Sequence, residues 1–427
     1  MSFFPGNPSS MRDINRANVL DLIRLQGPIS QAELAKTLKL QPSTILRIVK
    51  DLEVEGFIYQ SGQGEASSKG GRKAGLWDLN PEGAFAIGVD LGADEIVTIL
   101  ADLVGNVVHR VSRACPLHEP SNVIMNVVIE TIEHIFAECH HVSNKIIGIG
   151  VALPGRVDSD RGVSLYALSF KNWKNVPVRQ ILQDRFGLPV HVQGDMQLMA
   201  LGERWYGAGA DAKHLLCIGL RRGIGLGVVI NGEIYRGRLQ SVGDIGHVVV
   251  EPNGDHCNCG RRGCLAAVAS EPAILNGLRE YAKKNGVASF NGMIGSPEEL
   301  TMSKVYEAFY AGNPLVVDRF RKSGQYIGRL LCDLVRIFDP EKIIIGGSNL
   351  KASPTFMDAI LSTYREEQPV FATDPPEIVP SQLGENSIAL GAAALILSQL
   401  FRTFESARPR IGLASGARDH NDRWKTF

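Results

Sequence analysis

Apolar positions recur every three or four residues between Asp13 and Leu25, through Ile14, Leu20 and Ile23, and Gly27-Pro28 stops that helical period. Ser30 followed by Glu33 has the spacing of a capping box, so a short second helix starts there. Pro42 suits the first turn of a third helix, whose buried face would hold Ile45, Ile48, Val49 and Leu52 and which Gly56 would end. Phe57-Ile58-Tyr59 reads as a short strand, SGQGEASSKGGRK as a glycine- and serine-rich loop, and Leu76–Leu79 as the returning strand. Three helices and then a two-stranded hairpin are the elements of a winged helix-turn-helix, which we assign to residues 1–82, with residues 1–10 a loose polar arm.

Asn80-Pro81 breaks the pattern and marks a domain boundary. Alternating or fully apolar runs then predict strands at Ala84–Val89, Ile96–Leu100, Val107–Val111 and Ile146–Val151, with an amphipathic helix at Val123–Cys139. The same mixture starts again at Leu215–Leu220, Gly227–Ile230 and Glu233-Ile234-Tyr235. A helical stretch at Ile327–Phe338 leads into a buried strand at Ile343–Ile345, and Ile388–Leu400 reads as a helix rich in small residues. Residues 83–400 therefore form an α/β domain, and 401–427, rich in Arg, Gly, Ser and Ala, are expected to be a flexible tail.

A chain of 427 residues has room for two or three such domains, and 44 % hydrophobic with 21 % charged residues is a globular balance. Lys and Arg equal Asp and Glu at 45 each, so any nucleic-acid affinity must come from local clusters and not from a global field. With no apolar run of the roughly 20 residues a membrane helix needs, and no signal-like N-terminus, a cytoplasmic protein is expected. Four cysteines are scattered (Cys115, Cys139, Cys217, Cys332), whereas Cys257, Cys259 and Cys264 are bunched, which in a reducing compartment suggests a metal and not disulfides.

The third helix would present Gln41, Ser43, Thr44 and Arg47 opposite Ile45 and Ile48. Arg grips guanine and Gln adenine through paired hydrogen bonds, and the second helix of a helix-turn-helix enters the major groove. Lys50 suits a phosphate, and Lys69, Arg72 and Lys73 beside Gly70 and Gly71 make a basic wing tip fit for a minor groove. Small three-helix units also mediate protein contacts, and residues 1–82 carry only ten Lys/Arg against nine Asp/Glu, so affinity for operator DNA would depend on placement and on a homodimer or tetramer. Lys39 stands where the turn between the paired helices often holds glycine.

The stretch GHVVVEPNGDHCNCGRRGC offers His247, Cys257, Cys259 and Cys264. One imidazole and three thiolates make a closed tetrahedral set, the donor pattern of structural zinc; the alternative is three unligated thiols. His256 competes as a donor but adjoins Cys257.

GDIGHVVVEPNGDHCNCGRRGCLAAVAS closely resembles the zinc-centred motif of the ROK family, which groups sugar-responsive repressors with sugar kinases. GVDLGADE, GVALPGRVD, GIGLGVVINGEIYRG and LGENSIALGAAAL extend the resemblance over about residues 84–400, and the preceding winged helix matches the repressor branch. The resemblance implies a two-lobed, actin-like (ribonuclease H-like) sensor with a sugar or polyol in its cleft. Kinases of the family hold ATP with Asp-x-Gly-Gly-Thr and Gly-Thr-Gly-x-Gly loops; here the equivalents read Asp90-Leu91-Gly92-Ala93-Asp94 and Arg221-Arg222-Gly223-Ile224-Gly225, which argues against phosphoryl transfer. On the sugar side the resemblance assigns Gly155, Arg156, Asn172, Asp195, Asp244 and His247 to the ligand, Asp195 being the equivalent of the kinase base or else simply a helix N-cap. Gly194, Asp244 and Ala266 replace the usual Asn, Glu and Glu, so the cleft is expected to bind a different sugar or polyol, or to bind glucose-like sugars poorly. The sequence thus implies a repressor gated by a sugar, acting as inducer or corepressor. The alternatives are a sugar kinase with an accessory DNA-binding domain and a sensor that binds a partner protein.

Overall fold

A computed structural model describes residues 11–64, 74–290, 292–347, 354–368 and 374–401. It separates into two compact units, one running to Gly83 and regaining the chain at Ser398, the other spanning Ala84–Leu397.

The smaller unit contains α1 (Met11–Gln26), β1 (Ile29–Ser30), α2 (Gln31–Leu38), α3 (Pro42–Val54), β2 (Ile58–Gln63) and β3 (Gly75–Leu79). Ala17, Val19, Leu20, Leu22 and Ile23 bury one side of α1, and Ile45, Ile48, Val49 and Leu52 bury the expected side of α3. The capping box forms as spaced: Ser30 Oγ accepts from the Glu33 amide, and Glu33 Oε2 accepts from the Ser30 amide at 3.0 Å. Arg12 and Arg16 of α1 pair with Asp51 and Glu55 at the end of α3, at 2.9 and 2.6 Å. The sheet has three strands in the order β1-β3-β2, one more than the hairpin expected. β1 is two residues long, too short to carry a periodicity, and is defined only by pairing Ile29 with Trp77 and Ser30 with Leu76. In the same unit the Arg24 guanidinium lies over the Phe401 ring at 5.8 Å from its centroid.

The larger unit is built twice from one plan. The first copy holds β4 (Phe85–Leu91), β5 (Glu95–Asp102), β6 (Val107–Ala114), α4 (Ser121–Glu138), β7 (Ile146–Leu153), a small sheet of β8 (Arg156–Asp158), β9 (Val163–Tyr166) and β10 (Lys174–Val176), α5 (Val178–Phe186), β11 (Val190–Gly194) and α6 (Asp195–Tyr206). In the second are β12 (Leu215–Leu220), β13 (Ile224–Ile230), β14 (Glu233–Ile234), α7 (Leu265–Ala269), α8 (Glu271–Asn285), α9 (Met302–Tyr310), α10 (Pro314–Phe338), β15 (Lys342–Gly346), α11 (Thr355–Glu367), β16 (Glu377–Pro380) and α12 (Ser387–Leu397). In the first sheet β4-β5-β6 run antiparallel and β7 and β11 add parallel to β4. In the second, β12-β13-β14 run antiparallel and β15 and β16 add parallel to β12. This duplicated sheet is the restart read from the sequence at Leu215.

Every residue of α12 is buried, which explains its lack of a polar face. Its small residues let it lie close against α6 and the first sheet: a Cβ added to Gly150 of β7 would stand 1.8 Å from the Ala392 carbonyl oxygen.

Candidate functional site

In the smaller unit, Gln41 caps α3 and is exposed together with Ser43, Arg47 and Lys50, while Thr44 is half-buried. These five side chains share the outer face of the helix, as their spacing requires. Lys39 takes the left-handed conformation that glycine usually supplies in such a turn (φ 53°, ψ 37°), and its amide donates to the Ala35 carbonyl. Leu46 lies on the outer face too, 56 % exposed, and pattern reading passed over it. Lys69, Arg72 and Lys73 lie outside the described residues.

The β4–β5 and β12–β13 turns hold equivalent places in the two sheets of the larger unit and border one cavity of about 400 Å³. Of the ligand residues expected, Gly155, Arg156, Asp195, Asp244 and His247 line it. Asn172 does not: it sits exposed in a left-handed turn (φ 59°), and the neighbouring Trp173 is buried, its Nε1 donating to Ser164 Oγ at 2.8 Å. Ala266 is likewise outside the lining. Tyr166, Leu168 and Gln240 do border the cavity and were not singled out in the sequence.

The two phosphate-loop equivalents are tied to each other. Arg221 Nη1 donates to Asp90 Oδ2 at 2.8 Å, and Arg222 Nη1 to Asp94 Oδ1 at 2.7 Å. Asp90 is buried and the Arg222–Asp94 pair is exposed, so the first pair is the one shielded from screening by salt. The Asp90 carboxylate raises the pKa of the Arg221 guanidinium well above its ordinary value. A phosphate entering between these turns would have to displace two arginine–carboxylate pairs and then meet the carboxylates.

Asp195 is the first residue of α6, one place after the cap, which is Gly194; its Oδ1 accepts from the Met196 amide at 2.8 Å. Burial pushes its carboxyl up to about 6, and the like charge of Asp90 adds to this against the opposing pull of the Met196 amide and Arg221.

His247, Cys257, Cys259 and Cys264 bring their donor atoms within 4.8 Å of one another. Cys259 Sγ and Cys264 Sγ are 3.6 Å apart, and Cys257 Sγ is 3.5 Å from His247 Nδ1. A tetrahedral ion with metal–sulfur bonds of about 2.3 Å would place such donors about 3.5–3.8 Å apart, so the cluster could bind a metal of that geometry. Gly263 makes the tight return possible: its φ is +67°, and a Cβ there would stand 1.5 Å from the Glu251 carbonyl oxygen. His256 faces Arg262 instead, at 2.6 Å, and takes no part. His247 and Cys259 also border the cavity, so the cluster and the cleft share a wall.

A winged-helix unit on one chain with a duplicated, sugar-kinase-like α/β unit defines a class of DNA-binding transcriptional regulators. The ROK family pattern matches residues 86–399 and that of the MarR family residues 14–62. The chain belongs to the ROK family. It is 29 % identical to the xylose repressor of Caldicellulosiruptor bescii over 395 residues, 92 % of this chain and 98 % of that one. It is 30 % identical to the DNA-binding transcriptional dual regulator NagC of Escherichia coli over 394 residues, 92 % and 94 % of the two chains. Among solved structures, a ROK family transcriptional regulator, a homologue of the Escherichia coli MLC protein, superposes with a TM-score of 0.77 at 29 % identity, covering 92 % of this chain and 97 % of the other. A ROK family glucokinase from Streptomyces griseus, in complex with glucose and AMPPNP, matches 73 % of this chain and 99 % of its own at TM-score 0.66 and 29 % identity. No helix among the described residues is long and apolar enough to cross a membrane.

Proposed function

We propose that this chain is a transcriptional repressor whose grip on operator DNA is set by a sugar or polyol in the cavity between its two sheets, with no phosphoryl transfer. One observation carries the non-catalytic reading: the two turns that would hold nucleotide phosphates are joined by Arg221–Asp90 and Arg222–Asp94. Transfer chemistry depends on positioned phosphates, and these pairs occupy the space between the loops. Repressor relatives named for xylose and N-acetylglucosamine support a sugar as the effector. Arg156, Asp195 and Asp244 offer it a donor and two acceptors, and Tyr166 and Leu168 an apolar wall.

Gln41, Ser43, Thr44, Arg47 and Leu46 would read the major groove, Lys50 a phosphate, and Lys69, Arg72 and Lys73 the adjacent minor groove. His247, Cys257, Cys259 and Cys264 would hold one structural zinc. When bound, it would lock the loop that carries Asp244 and His247 along the cavity wall. Residues 1–82 and 83–400 would act as reader and sensor in a cytoplasmic homodimer or tetramer, since half-sites repeat with the protein's symmetry. Effector binding shifts DNA affinity only by its preference for one sensor conformation over the other.

The test is fluorescence anisotropy of the purified chain on DNA from upstream of its own reading frame, titrated with D-xylose, N-acetyl-D-glucosamine, D-glucose and myo-inositol, alongside ATP turnover with the same sugars. A sugar that changes DNA affinity without ATP consumption is expected. Sugar-dependent ATP turnover that is lost in Asp195→Ala would replace this reading with a kinase.

A further inference from the structure

Arg221, with Arg222, joins the two sheets at the cavity, and of the two pairs it makes the one whose carboxylate is buried. It leaves the β12–β13 turn and ends on Asp90 of β4, 131 residues earlier, with 2.8 Å between Nη1 and Oδ2. The Asp90 side chain is only 2 % exposed, and Arg221 is 34 % exposed at the cavity lining. Arg221 Nη2 reaches to 3.4 Å from where a Cβ on Gly92 would stand, so the guanidinium also lies along the β4–β5 turn.

Asp195 of α6 borders the same cavity and feels the charges of both Asp90 and Arg221. The other charged groups there are the paired Asp94 and Arg222 on the two turns, Arg156 of β8, and Asp244 before His247. Glu95 of β5 adds a weaker negative influence on Arg221. Asp90 is buried and Asp195 half-buried on the same cavity wall; without Arg221 the like charge of Asp90 would act on Asp195 with that cation gone, and neighbouring carboxylates resist ionising together. Asp90 is also a charge that cannot be left buried and unpaired without a large penalty.

We propose that Arg221 is a positioning residue for effector recognition: a resident cation, anchored on Asp90, that ties the two hairpin turns together and holds Asp195 as an anionic acceptor for a ligand hydroxyl. It rests on the assignment of Asp195 as the effector's acceptor. Arg221 touches no ligand atom in this role; it acts through Asp195. The effector then meets a preset charge at the cavity wall, and no second ligand is needed to supply it.

The charge state of Asp195 is readable with no effector present. Urea unfolding free energies of the full chain and of Asp195→Asn are measured from about pH 4 to about pH 9, and their difference is plotted against pH. The folded carboxyl lies above its ordinary value, so its ionised form costs stability. The advantage of Asp195→Asn therefore grows as pH rises out of the ordinary carboxylate range and levels off above about 6. In an Arg221→Ala background the levelling point moves up by at least about one pH unit, a tenfold change in proton affinity. In an Asp90→Asn background it moves down, because the like charge is gone and Arg221 turns to Asp195. Arg221→Lys returns it toward the native position. Arg221→Ala and Asp90→Asn break the same ion pair, so mere loosening of the fold would move both the same way.

An unchanged levelling point in Arg221→Ala, or shifts of one sign in both backgrounds, overturns the proposal. If Arg221→Ala does not fold, Asp90→Asn and Arg221→Lys carry the test, and a levelling point that Asp90→Asn leaves unchanged or raises overturns it. Calorimetry with D-xylose and N-acetyl-D-glucosamine separates this from the underlying assignment. Sugar affinity indifferent to Asp195→Asn shows that the acceptor is elsewhere, and the proposal falls with it whatever the levelling points do.

Discussion

Replacing Asp195 by Asn tests the sensor cleft most directly. The side chain keeps its shape and the Oδ1 acceptor for the Met196 amide, 2.8 Å away, so the start of α6 should survive. What is lost is the negative charge facing the cavity. A hydrogen bond to a charged acceptor contributes about 1.5–3 kcal/mol, and that loss corresponds to roughly tenfold to hundredfold weaker binding. The native protein should carry the same effect in its pH profile. With the carboxyl held up near 6 by burial, lowering the pH through 6 protonates it, and affinity for the sugar should fall toward that of the Asn variant, by about tenfold for a unit of pH until the roughly tenfold to hundredfold loss is complete. Above about pH 7 affinity should be flat, because the carboxylate is then fully formed. Asp195→Asn should be weak at every pH and show no such slope. Isothermal titration calorimetry with whichever sugar of the xylose, N-acetylglucosamine, glucose and inositol set binds, at fixed ionic strength, reads both effects. Native affinity that stays level from pH 7 to 5, or an Asn variant that binds as tightly as native, would refute the role given to Asp195.

Arg47→Ala should erase preference at one operator position, a discrimination of about 1–3 kcal/mol, while leaving non-specific DNA affinity nearly intact; competition with mutated operators measures it. The native chain should carry one metal ion, and Cys259→Ser should strip it and weaken sugar response along with it, because the cluster shares a wall with the cavity; elemental analysis and thermal-shift assays decide this. Gly150→Ala should cost about 1–3 kcal/mol or more in a urea titration, since a methyl group 1.8 Å from the Ala392 carbonyl forces α12 off the sheet. Sugar-stimulated ATP hydrolysis should be absent in the native chain, as read by a coupled assay.

The local grammar of this protein was legible in its residues. Helical spacing of apolar residues and the Ser30–Glu33 capping box gave α1 to α3, because caps and amphipathic faces are short-range properties. The doubled α/β pattern beginning again at Leu215 foretold the duplicated sheet, since each strand's burial is written in its own apolar run. Three cysteines within eight residues, with His247 ten positions before the first, marked a cluster that could hold a metal, because its donors come mostly from one loop. Asp195, Gly155, Arg156 and Asp244, which the sequence resemblance assigned to a ligand, line one cavity.

What the tertiary structure decided is contact between distant segments. In the sequence Arg221 and Arg222 stand only as departures from a phosphate loop; the fold joins them to Asp90 and Asp94, and no local pattern encodes pairs 131 and 128 residues apart. Asn172 was assigned to the cavity by likeness, but the turn after β9 buries Trp173 and leaves Asn172 outside the lining. β1 exists only because β3 offers it a partner, and Leu46 became visible as an exposed residue of α3 only when that helix was seen with its other side packed. Secondary structure answers to neighbours along the chain; charge balance, cavity shape and exposure answer to neighbours in space, which the order of residues fixes only through the whole fold.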